Sequence, residues 1–149
     1  MRAQIAEKLK QALKSHEKRR VSTLRLIQAA ITDRDIANRG VGKEPVNDEE
    51  ILQILSKMVK QREESAKAFE EGSRLELAAQ EREEIEIVRE FLPVQMSENE
   101  TRAASAEAIA EVGAEGLRDM GKVMAILKER YPGKMDFAKA SATVRDLLK

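Results

Sequence analysis

Three observations on the 149-residue sequence predict an all-α fold. The strong helix formers Ala, Leu, Glu, Lys and Arg dominate a composition that is 36% charged and 42% hydrophobic. Aromatic residues make up 3% and prolines number three, whereas a β-sandwich or barrel draws on more aromatics and more turns. Apolar residues recur at helical spacing, and no alternation of period two persists for more than a few residues. The expected organisation is an N-terminal helical subdomain, residues 1–93, joined by a long helix to a C-terminal three-helix subdomain, residues 94–149.

Ile5, Leu9, Ala12 and Leu13 define the first helical stripe, and Val21, Leu24, Ile27 and Ile31 a second after the basic run Lys18-Arg19-Arg20. These are two amphipathic helices or one broken helix, ending near Arg39 before the Gly40-Val41-Gly42-Lys43-Glu44-Pro45 loop. Asn47 followed by Glu50 is an N-cap signal for a third helix, whose stripe runs Ile51, Leu55, Met58, Val59, Arg62, Ala66, Phe69 to a stop at Gly72. Ser73-Arg74-Leu75-Glu76 repeats the capping-box pattern. The helix it opens changes its apolar face midway, from Leu75, Ala78 and Ala79 to Ile85, Val88, Phe91 and Leu92. Glu81 to Glu84 between them read as solvated. Such a shift suits a connecting helix that packs on two bodies, and Pro93 ends it.

Ser97 and Glu100 form another capping box, opening an Ala-rich helix that stops at Gly113. A sixth helix starts around Leu117, with Leu117, Met120, Met124, Leu127 and Tyr131 as its stripe and Asp119 in its first turn, where a negative charge complements the dipole. Pro132-Gly133 terminates it. Asp136 caps the last helix, whose apolar face is Phe137, Ala140, Val144, Leu147 and Leu148.

Little in the chain suggests independent catalysis. Cysteine is absent, which removes disulfides, thiolate metal sites and cysteine nucleophiles, and suits a reducing compartment. No apolar run approaches the roughly 18 residues of a membrane span, and the N-terminus has no signal-peptide pattern, so a cytoplasmic protein without membrane association is expected. His16, the one histidine, falls on the first helical stripe and reads as a packed or capping residue rather than a metal ligand. The neighbouring acids Glu63-Glu64, Glu70-Glu71 and Glu83-Glu84 point about 100° apart on a helix and read as solvated surface rather than acid-base pairs. Most of the six methionines fall on apolar stripes or at helix ends, as core filler. Phosphate-binding glycine loops, nucleophile elbows and zinc spacings are all missing. The expectation is no catalytic residue, no metal and no cofactor.

Charge is segregated beneath a formal net charge of zero. Residues 1–43 carry 11 Lys or Arg against 4 Asp or Glu, residues 44–100 carry 7 against 16, and residues 101–149 carry 9 against 7. The basic run Lys18, Arg19 and Arg20, with Arg25, can meet phosphates or pair internally with the acidic middle helices. Arg118 and Lys122, at i, i+4 opposite the Met120-Met124-Leu127 stripe, should face solvent, with Lys134 in the following turn. Gly121 within that helix costs about 1 kcal/mol relative to alanine, which implies close approach of a neighbouring helix or of a ligand.

Phe91-Leu92-Pro93-Val94-Gln95-Met96-Ser97, Asp119-Met120-Gly121-Lys122-Val123-Met124 and Gly133-Lys134-Met135-Asp136 together resemble the GatB/YqeY family. The N-terminal part matches through Leu24-Arg25-Leu26-Ile27-Gln28-Ala29-Ala30 and the Lys60-Gln61-Arg62 to Phe69 segment, so the resemblance to its stand-alone YqeY-type members runs end to end. It implies a C-terminal part similar to the tail of the GatB subunit of the glutamine-dependent aminoacyl-tRNA amidotransferase, where the tail helps hold tRNA. By that likeness Gly121, Lys122 and the Gly133 to Asp136 turn face RNA. The chain has no counterpart of the GatB catalytic cradle or of the partner amidase signature. The resemblance therefore implies a tRNA-associated accessory protein, tied to carbon-nitrogen ligation with glutamine as amide donor only by family. Partners would be tRNA or a tRNA-processing complex. The alternative is a protein adaptor using the acidic middle helices and the Ala-rich helix. Autonomous amidation rests on the shared tail alone.

Overall fold

A computed structural model describes residues 1–149. It has seven α-helices: α1 (Arg2–Lys14), α2 (Lys18–Gly40), α3 (Asp48–Glu71), α4 (Leu75–Arg89), α5 (Glu98–Val112), α6 (Met120–Arg130) and α7 (Phe137–Leu148). One turn of 3-10 helix, Leu117–Asp119, precedes α6, and there is no strand. No helix is long and apolar enough to cross a membrane. The chain divides into two compact units, Met1–Leu92 and Pro93–Lys149.

In the first unit α1 and α2 are separate helices. Glu17 N–H donates to the Ala12 carbonyl at 3.1 Å and His16 N–H to that of Leu13 at 3.4 Å, closing α1 with His16 left-handed at φ 57°. His16 is therefore outside the helix and exposed, off the stripe on which the sequence places it. The core is built from Ile5, Leu24, Ile27, Ile51, Leu55 and Val88, all fully buried. Asn47 caps α3 as expected, accepting from Glu50 N–H at 2.9 Å. The preceding loop is held by groups without a sequence signal. Asn38 is buried and donates to the Glu44 carbonyl and to Glu50 Oε2, while Asp35 accepts from Val46 N–H at 2.8 Å and pairs with Arg2 at 2.7 Å.

Three expectations for α4 are corrected. Ser73 does not cap it: Ser73 adopts φ 59°, and Arg74 N–H donates to the Phe69 carbonyl at 2.7 Å, so the serine belongs to the closure of α3. Nor is α4 a long connector. It has 15 residues and lies wholly within the first unit, where Ala78, Ile85, Ile87 and Val88 are all buried. Glu84 is also not solvated, because it meets Arg62 of α3 in a largely buried pair.

In the second unit α5, α6 and α7 each pack on the other two. Ala104, Ala108, Val123, Leu127, Met135, Ala140 and Val144 form its core, and the alanines let the helices approach closely. The Ser97–Glu100 capping box is present in both directions, Gly113 is left-handed at φ 69°, and Asp136 accepts from Ala138 N–H at 2.9 Å. The α6 stripe differs from expectation. The 3-10 turn rotates Leu117 outward, leaving it half exposed, and Val123 takes the buried place beside Leu127.

Candidate nucleic-acid interface

Asp119 sets the geometry where α6 begins. Its Oδ2 accepts from Glu115 N–H at 3.1 Å, which ties the carboxylate back to the α5–α6 loop, and α6 starts without a side-chain cap. Arg118, Gly121 and Lys122 then lie together on the exposed side of this start. Arg118 reaches Glu115 at 3.8 Å, but both side chains remain more than four-fifths exposed, so the pair contributes little to stability. Gly121 is the second residue of α6 rather than mid-helix, and a Cβ there would meet nothing within 4 Å. No neighbouring helix approaches it. Of the two explanations for this glycine, intramolecular crowding is removed.

Lys128, a residue sequence reasoning missed, adds an exposed cation in the last turn of α6, in line with Gly121. It stands seven positions after Gly121, two helical turns along, and is exposed. That i, i+7 spacing was the available signal. Arg130, by contrast, is held by Glu111 of α5, which raises its pKa first by the hydrogen bond. Glu129, seven positions after Lys122, is also exposed, so the exposed side of α6 is basic but not uniformly so.

Lys134 is not brought to the same spot. It follows the C-terminal end of α6, on the order of 15 Å along the axis from Lys122. Its backbone is nonetheless fixed. Lys134 N–H donates to the Tyr131 carbonyl at 3.2 Å, the Lys134 carbonyl accepts from Met96 N–H at 2.8 Å, and Gln95 Nε2 donates to the Gly133 carbonyl at 2.7 Å. The segment before α5 thus pins the turn, leaving the Lys134 side chain exposed.

The four N-terminal cations separate into two pairs. Arg19 turns to Glu83 of α4 at 3.5 Å, and Arg20 donates to Glu90, with Glu17 also within 3.8 Å. The hydrogen bond that Arg20 donates to Glu90 raises the Arg20 pKa above its ordinary value. Lys18 and Arg25 are exposed instead and border a depression between the end of α1 and the start of α2. Basic α2 and acidic α4 therefore neutralise each other in part. The neighbouring acids behave likewise: Glu63 pairs with Arg89 at 2.7 Å and Glu70 with Arg82 at 2.5 Å.

The family model described as Yqey-like protein matches residues 2–148, nearly the whole chain and both structural units. The chain belongs to the YqeY-like family. A YqeY-like assignment over this span covers the α6 start and the Gly133–Asp136 turn as well as the first four helices. A protein of Schizosaccharomyces pombe described as uncharacterised is 33% identical over 93 residues, which are 62% of this chain and 72% of that relative.

Proposed function

We propose that this chain is a cytosolic, non-catalytic accessory protein that binds tRNA, alone or in a tRNA-processing complex, through its C-terminal unit. The observation that carries the reading is the open, basic start of α6. Gly121 exposes backbone with no neighbour above it, beside Arg118 and Lys122, with Lys128 two turns further along, an arrangement suited to close approach by a sugar-phosphate backbone. Lys134, on its pinned turn, supplies a second phosphate contact further along. The likeness to the GatB tail gives the nucleic acid its identity as tRNA and the link to glutamine-dependent amidotransfer. The adaptor reading has less support, because Glu63, Glu70, Glu83 and Glu84 of the acidic helices are already engaged by arginines of the same unit.

Titration of fluorescent bulk tRNA with the full chain at two salt concentrations tests this reading. Binding should saturate and weaken with salt. Lys122→Glu with Lys134→Glu, checked for retained helicity by circular dichroism, should reduce the slope of log K against log salt by about 1.5 to 2. Absence of saturable binding by the wild-type chain at low salt rejects direct RNA recognition.

A further inference from the structure

Helix α2 buries one face, through Leu24, Ile27 and Ile31, and leaves a second face of mixed apolar and charged residues uncovered along its length. At about 100° per residue, Ser22, Arg25, Leu26, Ala29, Asp33 and Ile36 fall within one arc, and all six are exposed. Leu26 is 44% and Ile36 60% exposed. At the N-terminal end of the arc, Leu13 of α1 with Val21, Ser22, Arg25 and Leu26 lines an open cavity of about 550 Å³. Neither Arg25 nor Asp33 has an ion-pair partner in the chain.

The spacing on this face is symmetric about Ala29. Arg25 and Asp33 lie four residues to either side of it, and Ser22 and Ile36 seven. A two-fold axis at Ala29 would run two α2 helices antiparallel and set Arg25 of each copy opposite Asp33 of the other. It would also set each Ile36 opposite Ser22, where the Leu13, Val21 and Leu26 side chains surround the space it enters. The small Ala29 side chain allows the helix axes to approach to about 8 Å. We propose that a second copy of this chain covers the face, forming an isologous α2–α2 dimer with two Arg25–Asp33 pairs and two Ile36 side chains seated in the two cavities. An acidic peptide or RNA would be attracted by Arg25 but repelled by the exposed carboxylate of Asp33.

The test uses the full chain in sedimentation equilibrium across a concentration series. The wild type should show a monomer-dimer equilibrium. Arg25→Asp or Asp33→Arg turns two attractions into two repulsions and should weaken dimerisation roughly thirtyfold, while the double variant restores the pairs in reversed polarity and should recover most of the loss. Because the chain has no cysteine, Ala29→Cys gives a clean second readout: oxidation should link two copies across the axis, and Lys67→Cys on α3 should not. A monomer at every concentration up to about 1 mM, or a dimer indifferent to the single reversals, overturns the proposal. So does a dimer weakened by the single reversals but not rescued by the double.

Discussion

Arg62 Nε and Glu84 Oε2 meet at 3.0 Å between α3 and α4, with only 15% and 17% of their side chains exposed. Arg62 occupies a place on an otherwise apolar stripe, and Glu84 answers it from the facing helix. Removing one partner leaves a poorly solvated charge, so Arg62→Ala or Glu84→Ala should each cost about 2 kcal/mol. Arg62→Met combined with Glu84→Leu should recover most of that loss. Urea denaturation of the two singles and the double measures the coupling, and simple additivity would contradict it.

Opposite pH dependences should come from two carboxylates of the first unit. Burial raises the Glu81 pKa, Glu84 raises it further and Arg62 opposes the rise. A raised folded-state value means that stability falls as pH climbs from the unfolded carboxylate pKa through the folded one. Glu81→Gln should therefore raise the melting temperature at pH 7, with the gain fading below pH about 4. Asp35 is lowered, first by its hydrogen bond to Arg2 and then by Val46 N–H, so its contribution is present at neutral pH and is lost as pH falls through the folded value. The deficit of Asp35→Asn relative to wild type should shrink on acidification. Melting curves of both variants between pH 3 and 7 give the two slopes.

Ser73 carries the left-handed turn after α3, a conformation that costs a side-chain-bearing residue roughly 1 kcal/mol and glycine little. Ser73→Gly should stabilise the chain by about 0.5 kcal/mol after allowing for the greater freedom of glycine when unfolded. The same change at the neighbouring Gly72 position has no counterpart, since Gly72 sits at φ −85°. Thermal unfolding distinguishes the outcome: a Ser73→Gly variant less stable than wild type would mean that the hydroxyl does have a capping role.

Helix number and most termini were legible because they are local. Ser97, Gly113 and Asp136 act within one turn of their own position, and their spacing is enough. What failed was set at a distance or by competition between neighbours. Ser73 had a capping-box spacing, but the closure of α3 claimed its backbone first. Glu84 read as solvated because its partner, Arg62, stands on another helix, and Asn38 and Asp35 order a loop through groups that no periodicity marks. Of the candidate site, the outward direction of Arg118 and Lys122 followed from helical period. The inward pairing of Arg19 and Arg20 depended on where α4 lies, and the separation of Lys134 from Lys122 on the length of α6.

Gly121 allows structure and function to be separated in one substitution. Nothing lies within 4 Å of a Cβ built there, and the residue is helical, so Gly121→Ala meets no steric objection in the free protein. Alanine should raise stability by up to about 0.5–1 kcal/mol through helix propensity. If the exposed backbone is where RNA makes its close approach, the added methyl obstructs it, and tRNA affinity should fall about fivefold, a loss of about 1 kcal/mol. A more stable protein that binds more weakly is the expected pair of results from thermal unfolding and tRNA titration on the same preparation. Higher stability with unchanged affinity would move the RNA contact away from α6 and leave Lys134 and its turn as the surface to examine.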